Sequence, residues 1–310
     1  MTADQKIPKL TVICPVFNEE AVVPLFFERL QAVRNRLGTT CEVDLVFCNN
    51  ASVDGTLDAI EKIRARHGHV YVITLSRNVG YQRSVECGLR TAKGDVFVVI
   101  DVDCEDPPEM ILDFVARYRD GYDIVYGERV DREEAAWLKS LRKLFYRVMR
   151  SVADEHIILD MAEFSLLTSE VRDAIIQDQS SFPFVRASIG RVGFRVLGIP
   201  YKREPRIAGK THYNFAGMML FAVAGILSSS TLLLRLPIYL LPAWGALVAM
   251  LAAGLIWMPQ PWMLPLMLTV VSGYIGATMA FVAIYVARIY KNTLGRPNFI
   301  IRRNGTHLQA

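Results

Sequence analysis

Along its first half the chain alternates short apolar, β-branched runs with longer segments of helical periodicity. Leu10–Cys14, Val43–Cys48, Val70–Leu75, Val96–Ile100 and Ile124–Tyr126 are predicted strands. Near-continuous apolarity is the mark of strands buried between two helix layers. Glu19–Leu37, Asp54–His67, Tyr81–Thr91 and Pro107–Arg119 are predicted helices. The last opens on Pro107-Pro108, where a helix N-terminus tolerates proline. This βαβαβαβ order predicts an α/β fold, a mostly parallel sheet with helices on both faces. Ligands of such sheets sit beyond the carboxyl ends of the strands, so the residues that follow each strand matter most.

The pattern then changes. No charged residue occurs between Arg235 and Arg288. Those 52 residues fit two membrane spans of about 20 residues each plus a turn. The first is placed near Leu236–Met258 and the second near Trp262–Ala287, broken by Pro259-Gln260-Pro261. Trp257 and Trp262 flank the break, as aromatic residues do at a bilayer surface. A buried helical hairpin in a soluble protein is the other reading, but a soluble helix rarely lacks a polar face over such a length. Phe215–Leu234 mixes small and apolar residues with Ser228-Ser229-Ser230-Thr231. One or two interfacial helices are expected there, with a third span as the alternative.

Charge follows the same division. The formal net charge is +4, yet residues 215–310 contain no acid and six bases, so the first 214 residues carry −2. Positive charge joined to apolarity points to a membrane and not to nucleic acid. Both outer ends of the apolar hairpin carry Arg or Lys and its turn carries none, which places both ends in the cytoplasm. The N-terminus lacks the apolar run of a signal peptide, so the charged part is expected to stay there too. Five cysteines without a Cys-x-x-Cys pair exclude a disulfide framework or zinc site as the first reading.

Polar residues follow all four leading strands: Pro15-Val16-Phe17-Asn18-Glu19-Glu20, Asn49-Asn50-Ala51-Ser52-Val53-Asp54, Ser76-Arg77-Asn78-Val79-Gly80-Tyr81-Gln82 and Asp101-Val102-Asp103-Cys104-Glu105-Asp106. Asp101-x-Asp103 leaving a strand can aim two carboxylates at one Mg²⁺ or Mn²⁺, and Glu105 offers a third oxygen or complements the next helix. No glycine-rich nucleotide signature and no nucleophile elbow is present. Before the membrane part lies a basic run, Tyr201-Lys202-Arg203-Glu204-Pro205-Arg206-Ile207-Ala208-Gly209-Lys210-Thr211-His212-Tyr213. It suits a diphosphate or lipid phosphate, or else anionic head groups.

These segments, in this order, resemble family 2 glycosyltransferases of the GT-A fold, and within them the polyprenyl-phosphate glycosyltransferases. The resemblance rests on Pro15–Glu20, Arg77-Asn78-x-Gly80, Asp101-x-Asp103 with Pro107-Pro108-Glu109, Arg203-x-x-Arg206-x-x-Gly209-Lys210-Thr211-x-Tyr213 and the two-span end. Two positions depart from the family pattern. Asn49-Asn50 stands for the family's Asp pair, at which an Asp contacts the nucleobase, and Glu163-Phe164-Ser165 stands for Asp-Phe-Arg.

The resemblance implies a cytosolic catalytic domain over 1–214, interfacial helices over 215–235, two transmembrane helices over 236–287 and a cytosolic basic tail over 288–310. It implies a multi-pass protein of the inner membrane that transfers a sugar with inversion from a UDP- or GDP-linked donor to a polyprenyl phosphate. Asp103, Glu163 and Arg206 are the implied catalytic residues. Pro15, Phe17, Glu19, Asn49, Asn50, Arg77, Gly80, Gln82, Asp101 and Lys210 would line the donor site, with Mg²⁺ or Mn²⁺ on Asp101, Asp103 and Glu105. A polysaccharide acceptor and a non-catalytic nucleotide-sugar-binding membrane protein are the other readings. Gly273-x-x-Gly276 in the second span offers a small-residue face on which a homo-oligomer could pack.

Overall fold

The computed structural model describes residues 8–38, 40–130, 161–178, 180–207, 230–258 and 260–309. Strands β1 (Lys9–Val16), β2 (Glu42–Asn49), β3 (Val70–Thr74), β4 (Val96–Val99), β5 (Ile124–Arg129), β6 (Met161–Thr168) and β7 (Val196–Tyr201) form one sheet in the order β3-β2-β1-β4-β6-β5-β7. The first four are parallel, and β6 runs antiparallel between β4 and β5. Helices α1 (Val23–Leu37), α2 (Thr56–Arg66) and α4 (Ile111–Arg119) cover one face. Helices α3 (Tyr81–Thr91), α5 (Ser169–Ile176) and α6 (Val185–Arg191) cover the other.

Alternation within the strands divides the core. Leu10, Val12, Cys14 and Val16 of β1 face one layer, while Ile13 faces the other. Helix α3 approaches the sheet closely at Gly88, where a Cβ would fall on Ile13 and 2.9 Å from Cys48 Sγ. All five cysteines are buried free thiols.

Strands β1, β2 and β5 extend one to three residues beyond the predicted ranges, β3 and β4 each stop one residue short, and three helices begin late, α2 by two residues. Helix α1 starts at Val23, not Glu19, because Glu19–Val22 form a turn in which the Glu19 carbonyl accepts the amides of Val22 and Val23. Helix α4 is preceded by a single 3-10 turn at Pro108–Met110. Strands β6 and β7 were not anticipated.

Two long helices follow, α7 (Leu232–Trp257) and α8 (Met263–Thr293), with mean hydropathies of 1.9 and 1.8 over their most apolar windows. Both are long and apolar enough to cross a membrane. Each outruns its predicted span. Helix α8, with 31 residues, is about 46 Å long and carries Arg288 and Lys291 in its final turns. Trp244 of α7 stacks on Tyr274 of α8 with ring centroids 4.5 Å apart. Pro237 and Pro242 lie inside α7, and Tyr274 donates to the Pro237 carbonyl at 2.6 Å. Gly273 and Gly276 face open space. The expected interfacial helices of 215–235 fall mostly outside the described residues; residues 232–235 belong to α7.

The residues after α8 return to the sheet. Gly295, at φ 59°, turns the chain, and Ile301 and His307 form antiparallel bridges to the outer edge of β3 with a turn between them. Ser76 donates to Ile300, Arg302 to Thr74, and Val72 and His307 exchange both amide bonds. A free parallel edge is thereby covered. The stretch expected as a separate basic tail thus lies against the α/β domain. Its anchor is Gln309, buried at the start of the strands. Gln309 Nε2 donates to Asp44 Oδ2 at 2.6 Å, and its Oε1 accepts the Lys93 amide at 2.6 Å.

Replacing Gln309 with Leu strips a donor from the fully buried Asp44 carboxylate, at a cost of about 1–3 kcal/mol. The expected fall in the thermal midpoint of the purified chain is about 3–8 °C. An unchanged midpoint would show that Lys9 and His69 satisfy Asp44 alone.

Candidate functional site

Four loops meet at the carboxyl ends of β1 to β4. The β1 and β2 loops are stitched together: Asn18 donates its amide to Ser52 Oγ at 3.0 Å, and its Oδ1 accepts the Val53 amide at 2.9 Å. Glu19 donates to Thr56 Oγ1 at 2.8 Å, and Gly55 donates to Glu20 Oε2 at 2.8 Å. Asn18 and Ala51 adopt positive φ, 55° and 58°. Short polar residues in such turns bond their own neighbourhood. Pro15 is buried at the end of β1, and Phe17 is half-buried beside this knot.

Asn49 and Asn50 are both buried. Asn49 Oδ1 accepts the Ser52 amide at 3.0 Å. Asn50 bridges to the β3 loop: its Nδ2 donates to Asn78 Oδ1 at 3.0 Å and its Oδ1 accepts the Val79 amide at 2.9 Å. Asn78 Oδ1 also accepts the Gly80 amide at 2.9 Å. Asn50 therefore uses both halves of its amide, whereas Asn78 uses only its oxygen. Position 50 has a structural reason to be Asn: it braces two loops, a task distinct from the expected base contact. Arg77 stands exposed beyond them, and Gly80 takes φ 87° where the chain enters α3.

Carboxylates crowd the end of β4. Burial, then the negative charges of Asp103 and Asp106, with Glu163 further off, push the Asp101 carboxyl up to about 7, against a hydrogen bond from Tyr81. Asp103 Oδ1 accepts the Glu105 amide at 3.1 Å, and Cys104 takes φ 59° in the turn. Burial and Asp103 push Glu105 upward as well, while Arg203 and Arg206 pull it back. Crowded hard oxygens at raised proton affinity are the donor set that suits Mg²⁺ or Mn²⁺. Asp101 and Asp103 fit that role. The Glu105 carboxylate is paired with the Arg203 guanidinium.

The basic run lies directly on this acidic loop. Glu204 donates its amide to the Glu105 carbonyl at 2.9 Å and Ile207 to the Asp103 carbonyl at 3.2 Å. Arg206 is ion-paired to Glu19 and sits 3.7 Å from Asp103. Asp106 is buried and bound by the Tyr201 hydroxyl and by Arg129, at 3.1 Å. Lys210 lies outside the described residues. A set of three side chains whose ligand atoms all lie within 4.8 Å of one another, Glu42, Asp44 and His69, stands at the opposite end of the strands. There Asp44 is already engaged by Lys9 at 2.8 Å, His69 at 2.9 Å and Gln309.

On β6, Glu163 accepts from Gln82 Nε2 at 3.1 Å and lies 3.3 Å from Arg186 Nη2. Ser165, where the family pattern has Arg, is buried and donates to the Glu163 carbonyl. A cation does reach Glu163, but from α6, twenty-three positions along the chain. Sequence reasoning missed Arg186, Arg129 and the part played by Tyr81. Arg186 and Arg129 belong to no local motif; only tertiary contact gives them a partner.

Asn50→Asp forfeits a donor and leaves two acceptors facing, or turns Asn78 at the expense of the Gly80 bond. A loss of about 1–3 kcal/mol is expected, against less than about 0.5 kcal/mol for the exposed Asn78→Asp. Equal midpoints in thermal unfolding would refute the bracing role. Asp101 gives a pH signature in the metal-free protein. Its folded pKa is raised, so the native state keeps a proton that the unfolded state loses near pH 4. Stability attributable to it is full below about pH 4, is lost as pH rises to about 7, and is flat above. Asp101→Asn should flatten that slope and raise the midpoint at pH 8.

Comparison with known proteins bears on this arrangement. A family model for glycosyl transferase family 2 matches residues 11–183. A glycosyltransferase of Bacillus subtilis, YkcC, whose function is uncharacterized, is 29% identical over 95% of this chain and 93% of its own length. A prophage bactoprenol glucosyl transferase homolog of Escherichia coli is 28% identical over 95% of this chain and 99% of its own. Among solved structures, glucosyl-3-phosphoglycerate synthase of Mycobacterium tuberculosis, in complex with Mn²⁺, UDP and glucosyl-3-phosphoglycerate, superposes with a TM-score of 0.50 at 16% identity. The match covers 71% of this chain and 79% of that one, and it supports a GT-A fold for the sheet domain. More than half of the chain matches the family model, and the matched stretch contains all four strand-end loops: the chain belongs to glycosyl transferase family 2.

Proposed function

We propose that this protein moves a sugar from a nucleoside diphosphate sugar to a polyprenyl phosphate, with inversion at the anomeric carbon. Its site would face the cytoplasm from the inner membrane, held there by the α7–α8 hairpin. The acceptor is favoured by the relatives named bactoprenol glucosyl transferase, which this chain matches along nearly its whole length. The observation that carries the reading is the basic loop laid upon the acidic one, with Arg206 shared between Glu19 and Asp103. Such a pairing suits exchange. A diphosphate arriving with a divalent cation brings one partner for each side.

Asp101 and Asp103 would hold that cation, with Glu105 as a third oxygen once it leaves Arg203. When bound, the cation supplies Lewis acidity toward the departing nucleoside diphosphate. Arg206, and Lys210 beyond the described residues, would then neutralise phosphate oxygens. A phosphate monoester, with a second pKa of about 6, is largely dianionic at neutral pH. It attacks the anomeric carbon without a strong base: the new bond forms from a phosphate oxygen as the bond to the leaving diphosphate breaks, which takes the electron pair. Glu163 would orient the acceptor or a sugar hydroxyl. Pro15, Phe17, Glu19, Arg77, Gly80 and Gln82 would border the donor.

The test is transfer of labelled sugar into the lipid phase from a panel of UDP- and GDP-linked donors, with polyprenyl phosphate, in the presence of Mg²⁺ or Mn²⁺. Asp103→Ala should lower transfer by at least about 10²-fold, and chelation should abolish it. Undiminished transfer by Asp103→Ala overturns the cation assignment. Label released only into water overturns the acceptor.

A further inference from the structure

The cytosolic end of α8 is tied to Glu163 by a short run of contacts. Helix α8 continues past its apolar stretch, and its last turns meet the loop before α6. The Arg288 guanidinium lies 4.5 Å from the Phe182 ring centroid, and the Lys291 ammonium 5.3 Å. Ser181 donates its amide to Asn292 Oδ1 at 3.0 Å and its hydroxyl to the Lys291 carbonyl at 3.1 Å. The same loop is gripped from α3: Arg83 donates to the Ser181 carbonyl at 2.8 Å, and Val185 donates to Gln82 Oε1 at 3.1 Å. Gln82 donates from its Nε2 to Glu163 Oε1, and Arg186, one residue beyond Val185, pairs with the same Glu163 oxygen. Asn298, just past α8, closes the circuit by donating to the Ser180 carbonyl and to Glu86 of α3.

Two features suggest more than incidental packing. The family pattern places a cation two residues after the carboxylate, within the same strand. Here Ser165 fills that place and the cation comes from the segment that touches the membrane helix. In addition, Gln82 binds Glu163 and the Val185 amide with the two ends of one side chain, so a shift of the loop moves the carboxylate. We propose that Ser180–Arg186 links α8 to the site, so that the seating of the membrane helix sets the position of Glu163, with Arg186 and Gln82 as positioning residues. The inference rests on the transferase reading above and on the role given there to Glu163. Chemically, a lipid phosphate enters from the bilayer side, and this link registers the carboxylate against that surface.

The test uses the full-length protein in lipid nanodiscs. Phe182→Ala combined with Asn292→Ala loosens the link far from the reacting groups. It should lower kcat about tenfold, as small displacements of positioned groups do, with donor KM within about twofold. Arg186→Ala should lower kcat at least as far, and Arg186→Lys, which keeps the charge, should recover most of it. A second reading is amide hydrogen exchange over residues 81–85 and 161–165, which should speed up in the double variant about fivefold or more as local opening becomes easier. An unchanged kcat in the double variant, or a loss confined to donor KM, overturns the link. Wild-type protein that transfers no sugar to lipid phosphate overturns the transferase reading instead. The exchange measurement still decides the link in that case: faster exchange supports it, and unchanged exchange overturns it.

Discussion

Negative charge crowded at the end of one strand is the constraint on which the rest depends. Asp101, Asp103, Asp106 and, from β6, Glu163 converge where β4 meets its loop, and burial first, then repulsion from the neighbouring carboxylates, raises the proton affinity of Asp101. Unpaired, such a group of carboxylates destabilises the fold that gathers it. The chain meets that repulsion with arginines from distant positions: Arg129 on Asp106, Arg206 on Asp103, Arg203 on Glu105 and Arg186 on Glu163. None of the four is a sequence neighbour of the carboxylate it meets. The topology of the second half of the sheet serves to deliver them.

This explains why β6 is antiparallel and central. Running against β4, it sets Glu163 near the strand end that carries Asp101, and it places β5 and β7 beside it. Strand β7 then ends at Tyr201, immediately before the basic loop that folds back over the acidic one. The Tyr201–Asp106–Arg129 triad locks the departure point of that loop. Stability and ligand readiness oppose each other here. Arg203 on Glu105 and Arg206 beside Asp103 occupy carboxylates that the proposed divalent ion would use, so its binding would exchange partners and not merely add one.

The first four strands were legible because their apolar runs are buried on both faces and leave little ambiguity. The loops that follow them were legible because their residue types are chemically pointed. Strand β6 escaped notice because Met161–Thr168 alternates imperfectly, with Ala162 and Ser165 among its buried positions. Strand β7 contains Gly198 and Pro200, residues that argue against a strand except at an edge, which is where it lies. Asn49 and Asn50 were read for what they lack as acids, whereas the amide of Asn50 is what the loop pairing uses. Arg186 could not be assigned at all, since nothing in Val185–Arg191 announces a partner on β6.

The pairing of residues 300–307 with β3 has a consequence for the order of synthesis. The outer strand of the catalytic sheet receives its last neighbour from residues that leave the ribosome only after both apolar helices have been made. Until then β3 presents unpaired amides and carbonyls, and Asp44 lacks the donor that Gln309 supplies. The sheet domain cannot reach its final stability ahead of the hairpin. Completion of the sheet therefore waits on synthesis of both apolar helices, and a chain cut short before residue 300 would carry an open, adhesive sheet edge.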